Sequence, residues 1–304
     1  MYEDFAFVSL SEFETDQGED RTVYKSRLCL GTNSQFGIST RKQIELFKQM
    51  GFDGFFTEWN SEITEYRRLA DKIDMIYQSI HAPFGNASKM WRNDDESEKA
   101  VNELISCVRD CAEAGVPIMV AHTYIGFESE GIPTKEGIDN FGRVIEEADR
   151  LNVKIAFENT EGEEYLKALM DAFSHCDNVG FCWDSGHEIC YNKGKDMLNL
   201  YGDRLIATHL NDNLGVSDFN GKIFWTDDLH LLPFDGIINW ENVAKRLNTC
   251  GYDDIITFEL NTLSKPNRHE NDKYQKMPIE EYVAECYARA CKVAYMKNGN
   301  YPHP

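Results

Sequence analysis

Ionisable side chains of the kinds that bind divalent cations close most of the short hydrophobic runs in this sequence. From the third run to the eighth, six consecutive runs carry His, Asp or Glu as their last or next-to-last residue, and a histidine follows one of these ends three residues later. The loop after the next-to-last run adds an Asp and a His. Because the set includes five of the chain's eight histidines, a shared role is more economical than nine separate ones. The residues are His81, His122, Glu158, Asp184, His187, His209, Asp228, His230 and Glu259.

The chemistry that these residue types share is metal ligation. Taken singly, a histidine or glutamate at a strand end is more often a hydrogen-bonded or capping residue than a ligand. Taken together, carboxylates and imidazoles suit Mn²⁺, Co²⁺, Mg²⁺, Fe²⁺ or Zn²⁺, and the mixed oxygen and nitrogen donors do not select among these ions. We therefore expect a divalent-metal site if the fold brings the nine residues together.

The elements that must position these residues are eight short strands separated by helices. Each hydrophobic run is bounded by Gly, Asp or Asn and is followed by a longer stretch of helical periodicity, and this alternation predicts a parallel sheet. Four of the predicted helices stop at a Gly or Asn, in QMGFDG, EAGVPI, RLNVKI and TCGYDD. The predicted strands are 28–32, 54–58, 75–81, 117–122, 154–158, 179–184, 205–210 and 255–260.

Eight strand–helix units predict a single α/β domain, a (β/α)8 TIM barrel, which takes about 250 residues. Within the 304 residues, we expect an N-terminal extension at 1–26, the barrel at 27–296 and a C-terminal tail at 297–304. The carboxyl ends of all strands in such a barrel face one cavity. The nine residues are therefore expected to converge.

Charge and composition limit which kinds of binding partner the protein can have. The formal net charge is −21, and no Lys/Arg run is longer than Arg67-Arg68. A field of this sign repels nucleic acid, although a local basic groove or a bound cation would still attract phosphate. Nine cysteines without a CxxC pair predict reduced thiols, and neither a basic N-terminal region nor a membrane-length apolar run is present. We expect a cytoplasmic protein with no membrane association.

Seven short strings follow one another along the predicted strands: SIHAPF, AHTY, FEN, WDSGHE, HLNDN, DLHLLPFDGIINW and FEL. In this order they resemble the xylose-isomerase-like TIM-barrel superfamily of sugar isomerases and epimerases. That superfamily also contains endonuclease IV, inosose dehydratases and hydroxypyruvate isomerases. The resemblance spans residues 81–260, with weaker agreement upstream, and the ordered set is more specific than any one string.

The resemblance implies a role for each candidate residue. His187 matches a residue that touches the substrate in ketose 3-epimerase-like members and binds metal in endonuclease IV. The four ligands of the single metal in the epimerase-like members are matched by Glu158, Asp184, His209 and Glu259. The remaining positions of the three-metal cluster of endonuclease IV are matched by His81, His122, Asp228 and His230.

For a sugar or related polyol, these roles imply isomerisation or epimerisation by proton transfer through a metal-stabilised enediolate. Glu158 and Glu259 would flank the substrate, one removing and the other returning a proton. His187 would hold a substrate oxygen. Glu58 and Trp59, at the end of the second strand, would supply a hydroxyl partner and a ring face, although Trp59 could equally pack against the barrel rim.

Other activities fit the same residues. A phosphodiesterase of the endonuclease IV kind would use all nine, and a sugar or cyclitol dehydratase would also need two glutamates facing each other beside a metal. A non-catalytic binding barrel would need neither glutamate. The predicted loops NSQFG, NSEIT, GNASKMWRNDDESE and GFESEG contain only Lys89 and Arg92 as basic residues, fewer than a DNA-binding rim requires. We therefore favour a small, unphosphorylated sugar or polyol.

Two long loops are expected to cover the site. Met90 and Trp91, after the third strand, are interpreted as part of a lid over a small ligand. In the loop 211–236, Phe219, Phe224 and Trp225 would either shield the metal or form an oligomer contact. Homo-oligomerisation, the identity of the sugar and the reacting carbon, and the number and identity of the metal ions stay open at this point.

Overall fold

A computed structural model describes residues 26–127, 132–218 and 220–299. The predictions for residues 1–25, for Phe219 and for residues 300–304 lie outside this part of the chain. Eight parallel strands form one sheet. They are β1 Leu28–Gly31, β2 Gly54–Glu58, β3 Ile76–His81, β4 Ile118–His122, β5 Lys154–Glu158, β6 Val179–Asp184, β7 Leu205–His209 and β8 Ile256–Phe258.

Helices follow the strands around the outside of the sheet. In the described residues they are α1 Thr40–Met50, α2 Ile63–Ile73, α3 Asp95–Ala114, α4 Lys135–Arg150, α5 Glu163–Ala172, α6 Ser185–Cys190, α7 Met197–Tyr201, α8 Trp240–Thr249, α9 Asp272–Gln275 and α10 Ile279–Lys297.

Two junctions close the sheet into a barrel. At one of them β1 pairs with β8, and at the other backbone hydrogen bonds join β7 to β8. Each strand from β1 to β6 pairs with the next in the chain, and β1 also pairs with β8. Between β7 and β8, the Leu210 N–H donates to the Thr257 carbonyl at 2.8 Å, and the Glu259 N–H donates to the Leu210 carbonyl at 3.2 Å. The predicted (β/α)8 barrel is thereby confirmed.

The boundaries of the elements follow the sequence signals closely. All eight strands lie within two residues of their predicted ends, and β8 is the shortest. The four predicted helix stops all adopt a left-handed backbone, with φ of 108° at Gly51, 65° at Gly115, 57° at Asn152 and 68° at Gly251. Glycine and asparagine accept this conformation most readily, which explains why they end these helices.

The side chains of the strands divide into an outer and an inner set. The large apolar residues pack between the outer face of the sheet and the helices. A separate buried cluster contains Ile118, Val120, Ala156, Cys182 and Ala207. These residues lie on β4 to β7. Because side chains alternate along a strand, a residue two positions further along the same strand faces the same side of the sheet as this cluster. After Val120, Ala156, Cys182 and Ala207, those residues are His122, Glu158, Asp184 and His209.

Met90 and Trp91 do not form a lid, so this prediction was wrong. Both side chains are buried in the helix layer. The indole N–H of Trp91 donates to the Thr123 carbonyl at 2.7 Å, and a Cβ added to Gly137 on α4 would meet the Trp91 ring at 2.1 Å. The pair therefore closes a gap between α3 and α4.

Two compositional predictions can also be compared with the structure. All nine cysteines lie in the described residues, and none is in a disulfide. Within the same part of the chain, every helix is too short or too polar to span a bilayer.

Candidate metal centre

The string DSGH forms the junction between β6 and α6. The Asp184 carboxylate caps α6 by accepting a hydrogen bond from the His187 backbone N–H at 2.7 Å. Gly186 is required between them, because a Cβ there would lie 1.9 Å from the side-chain oxygen of Asn211. The Asn211 amide in turn donates to Asp184 Oδ2 at 2.8 Å. One tight turn therefore fixes two candidate ligands and the residue that orients the first of them.

Glu158 lies at the centre of the cluster and is fully buried. Its Oε2 is 3.3 Å from His81 Nε2 and 3.2 Å from His122 Nε2. Its Oε1 is 2.9 Å from His209 Nδ1 and 3.8 Å from His187 Nδ1. A single carboxylate thus contacts four imidazoles, which lie at the carboxyl ends of β3, β4, β6 and β7.

Glu259, the residue after β8, contacts the same cluster at His209. Its Oε2 lies 3.1 Å from Nδ1 of His209. The His209 ring is held by Phe56, which stacks on it with centroids 4.5 Å apart and 15° between the planes. The side chain of Glu259 is 27% exposed, whereas that of Glu158 is 1% exposed. Of the two glutamates, Glu259 is therefore the one that faces solvent.

A third part of the cluster comes from the loop after β7. Asp228 Oδ1 lies 2.8 Å from His230 Nε2 and 3.3 Å from His187 Nε2. Lys265, after β8, places its ammonium 3.8 Å from the other oxygen of Asp228. All nine residues singled out from the sequence therefore lie in one contiguous group.

The loop that carries Asp228 and His230 is held by a buried carboxylate. His230 itself has a left-handed backbone, with φ of 49°. The neighbouring Leu231 exchanges two backbone hydrogen bonds with Asp212, at 2.8 and 2.9 Å. The Asp212 side chain accepts four further bonds, from the backbone N–H groups of Asn213, Phe234 and Ile238 and from the indole of Trp240. These bonds hold the strained backbone at His230 in place.

Burial and neighbouring opposite charges together set the pKa values in the cluster. Burial alone would raise the pKa of Glu158, but His209, His122 and His81 outweigh it and hold this pKa well below its usual value. Burial raises the pKa of Asp184 to about 6. Burial would lower the pKa of His230, yet Asp228 and Glu259 raise it to about 9. The carboxylates thus favour the charged form of His230, whereas burial outweighs Glu158 at His122 and lowers the pKa of that imidazole.

The donor atoms fit a divalent cation. Ligand atoms of Glu158, Asp184, His209 and Glu259 all lie within 4.8 Å of one another, as do those of two further groups, His81 with Glu158 and His209, and Asp184 with His187 and His230. In the described residues, His187 Nδ1 is buried without a hydrogen-bond partner, 3.8 Å from Glu158 Oε1 and 3.9 Å from Asp184 Oδ2. Such an atom is costly in a folded protein, and a cation held by His187 with Asp184 would supply the missing partner.

A cavity of about 220 Å³ opens beside His81 and Glu259. Glu58 lines this cavity, as its position at the end of β2 suggested. Trp59 is absent from the described lining, and its indole N–H donates to Asp110 on α3 at 2.8 Å. This contact favours the packing interpretation of Trp59 over contact with a sugar.

The aromatic cover expected from the loop 211–236 is not formed by Trp225. Its side chain is 53% exposed, and its ring lies 5.5 Å from the ammonium of Lys265. Phe224 is contacted by Lys222 of the same loop at 5.0 Å. Among its described residues, the loop contributes Asp228 and His230 to the site.

Some site residues received no role from the sequence. Asn159 accepts a hydrogen bond from the Asp184 N–H at 2.8 Å and donates to the Asp184 carbonyl at 2.9 Å. Asn211, Asp212 and Phe84 likewise contact candidate ligands or their loops. All four lie in the strings FEN, HLNDN and HAPF, so the available signal was their adjacency to a ligand-type residue.

The fold and this cluster define a class: a (β/α)8 barrel whose carboxyl-end cavity is built from carboxylates and imidazoles. The chain belongs to the xylose isomerase-like TIM-barrel family, whose model matches residues 44–278. The resemblance drawn from the seven strings is thus confirmed.

Several curated proteins are similar over most of their length. An uncharacterized protein of Sinorhizobium fredii is 28% identical, over 82% of this chain and 91% of that protein. An inosose isomerase of Bacillus velezensis is 25% identical, over 84% and 93%. A probable endonuclease 4 of Mycoplasma capricolum is 25% identical, over 62% and 73%.

The fold also matches solved structures. A crystal structure of an IolI protein with a bound zinc atom aligns with a TM-score of 0.68 at 20% identity, over 91% of this chain and 100% of that one. At this identity, the likeness concerns the fold.

Proposed function

We propose that this protein is a divalent-metal-dependent isomerase or epimerase of a sugar or related polyol. The observation that carries the proposal is the convergence of Glu158 and Glu259 on one nitrogen of His209, beside a small cavity. The similarity to an inosose isomerase along most of the chain supports an isomerase that acts on a polyol ketone. We expect it to act on a small molecule in the cytoplasm.

Glu158, Asp184, His209 and Glu259 would hold the metal. When bound, a divalent cation polarises a carbonyl oxygen and makes the adjacent C–H more acidic. The two glutamates then move the proton. One removes it from the carbon next to the carbonyl, and the other returns a proton to the opposite face of that carbon or to the neighbouring carbon. His187, buried beside Asp184, would hold a substrate oxygen.

The test is a turnover assay on a panel of ketoses and inososes with Mn²⁺, Co²⁺, Mg²⁺, Fe²⁺ or Zn²⁺ added to metal-free protein. Products are followed by NMR. The proposal expects an isomer or epimer of one panel member, formed only with metal. A product that has lost water would identify a dehydratase instead, and no conversion across the panel would contradict the proposal.

A phosphodiesterase is the second candidate, because the structure brings together five ligand-type residues that a single metal does not need. They are His81, His122, His187, Asp228 and His230. The similarity to a probable endonuclease 4 supports the same interpretation. Against it stands the net charge of −21, which opposes binding to DNA. Cleavage of an oligonucleotide with an abasic site, dependent on His122 and His230, would favour this candidate over the isomerase.

A further inference from the structure

The cavity beside Glu259 has a lining without a lysine or arginine among its described residues. Its two carboxylates, Glu58 and Glu259, stand at the ends of β2 and β8. Within the described residues, the Glu58 carboxylate makes no hydrogen bond or ion pair, and its side chain is exposed. The nearest part of the cluster, His81, is already directed at Glu158 by its Nε2. Glu58 therefore gives the lining of this cavity an unpaired carboxylate.

The other polar groups of this cavity are neutral and are fixed in position. The Asn33 amide donates to the Leu260 carbonyl at 3.0 Å and to the Asn261 side chain at 2.7 Å. The Gln35 side chain accepts the N–H of Leu263 at 3.0 Å. These bonds join the loop after β1 to the loop after β8. Glu58 therefore shares the cavity with amide side chains that hydrogen bonds hold in position.

One wall of the cavity is an aromatic ring. Phe84 is 40% exposed and stacks on His122, with ring centroids 4.6 Å apart and 19° between the planes. The Phe84 and His81 rings also meet edge to face, with their centroids 5.7 Å apart. An aromatic face held in this way offers an apolar, electron-rich surface to the C–H groups of a ring or chain of carbons.

The two cations close to the cluster are already engaged elsewhere. Lys265 lies 3.8 Å from Asp228, and Arg268 is paired with the buried Asp227. Both partners belong to the loop after β7. Among the described residues that line the cavity, no lysine or arginine thus offers a positive charge to a phosphate or carboxylate group.

We propose that Glu58 is a specificity-determining residue that selects an uncharged substrate, a polyol ketone without a phosphate or carboxylate group. Its carboxylate accepts hydrogen bonds from substrate hydroxyls and repels an anionic group at the same position. Phe84 covers the carbon face of the same molecule. The volume of about 220 Å³ is below the roughly 300–1,000 Å³ of sites for drug-sized ligands, which suits a single monosaccharide or cyclitol. This inference rests on the proposed function, since it assigns the substrate of the same site.

The test is calorimetric binding to the full-length, Mn²⁺-loaded protein, with D-fructose, D-tagatose and their 6-phosphates as probes. The wild type is expected to bind at least one neutral ketose about tenfold more tightly than its phosphate. Glu58→Gln should reduce this ratio about tenfold, and Glu58→Lys should reverse it. Glu113→Gln, on the exposed face of α3, removes the same charge far from the cavity and should leave the ratio unchanged.

Equal or tighter binding of the phosphates by the wild type would overturn the inference, as would equal effects of Glu58→Gln and Glu113→Gln. Failure to bind either neutral ketose would overturn it as well. Turnover of the same probes separates it from the proposed function. Selective binding that depends on Glu58 without turnover would refute the isomerase and keep the pocket assignment, whereas turnover of a phosphate would keep the isomerase and refute the assignment.

Discussion

Glu158 and Glu259 approach the same imidazole nitrogen, Nδ1 of His209, at 2.9 and 3.1 Å. One comes from β5 and the other from just beyond β8, and neither neighbours the other in the sheet. The barrel therefore places two carboxylates on one nitrogen donor before any substrate arrives. A site prearranged in this way can bind a cation and transfer a proton without reorganising.

Replacing either glutamate should abolish turnover while the barrel stays folded. Glu158→Gln and Glu259→Gln each keep the size of the side chain but remove a metal donor and a proton acceptor. We expect a fall in kcat of at least about 10²–10⁴-fold, the usual contribution of a general acid or base. The measurement is the steady-state rate on a ketose or inosose that the wild type converts.

The matched control for these two variants is Glu241→Gln, on the exposed surface of α8. It makes the same chemical change outside the cluster and should leave kcat within a factor of two of the wild type. A Glu158→Gln or Glu259→Gln variant that behaved like this control would rule out the two-glutamate mechanism.

A methyl group at Gly186 should disturb the metal centre through Asn211. Gly186→Ala would place a Cβ 1.9 Å from the Asn211 side chain, which must then move away from Asp184. We expect weaker metal binding, measured by calorimetric titration of metal-free protein with Mn²⁺.

Gly142→Ala is the control for the glycine variant. Gly142 lies within α4, and a Cβ there would meet only the Phe173 ring at an ordinary 3.5 Å. Because alanine is the better helix former, this change should stabilise the protein by about 0.5–1 kcal/mol. Equal metal affinity in the two variants would show that the contact between Asn211 and Asp184 does not matter.

Removing the metal should lower thermal stability. A ligand at a thousandfold excess over its Kd stabilises the folded state by about 4 kcal/mol, or about 8 °C at about 2 °C per kcal/mol. We expect a decrease of this order when the purified protein is treated with a chelator, recovered on adding metal, as read by differential scanning calorimetry. Asp184→Asn should show a much smaller response, and an unchanged Tm in the wild type would argue against a structural contribution from the metal.

Asp212 should be the most sensitive aspartate outside the candidate ligands. Each of its oxygens accepts two hydrogen bonds, so Asp212→Asn leaves two buried donors facing an amide N–H. We expect a loss of about 2–4 kcal/mol in the free energy of unfolding, measured in urea. Asp177→Asn, at an exposed position, should change it by less than about 0.5 kcal/mol. Similar values for both would mean that the loop with His230 is not held by Asp212.

Asp235 should contribute stability that is lost in acid. Burial opposes the shift, but hydrogen bonds from Tyr274, Arg289 and Lys273 hold its pKa below the usual value. A lowered folded-state pKa contributes stability above the unfolded value of about 3.9, and this contribution disappears as the pH falls through the folded-state pKa. The Tm difference between wild type and Asp235→Asn should therefore shrink from pH 6 to pH 2. A constant difference would contradict this assignment.

The sequence predicted those parts of the molecule that depend on local patterns. The strand ends at His81, Glu158 and His209 could be placed because alternation and bounding turn residues fix a strand to within two residues. Convergence then followed from the geometry of a barrel. Trp91 was misassigned, because a loop residue that packs back into the helix layer leaves no periodic signal. Asp212 was overlooked because three of its four partners lie between residues 234 and 240, in a segment whose path back to Asp212 depends on tertiary structure.

The most direct test of the central claim is exchange of substrate hydrogen with solvent deuterium, followed by NMR at the carbon next to the carbonyl. Metal-loaded wild-type protein should exchange this hydrogen in a ketose or inosose, and the metal-free protein, Glu158→Gln and Glu259→Gln should not. Absence of exchange in every ketose and inosose tested, together with cleavage of DNA at an abasic site, would contradict the isomerase and favour the phosphodiesterase.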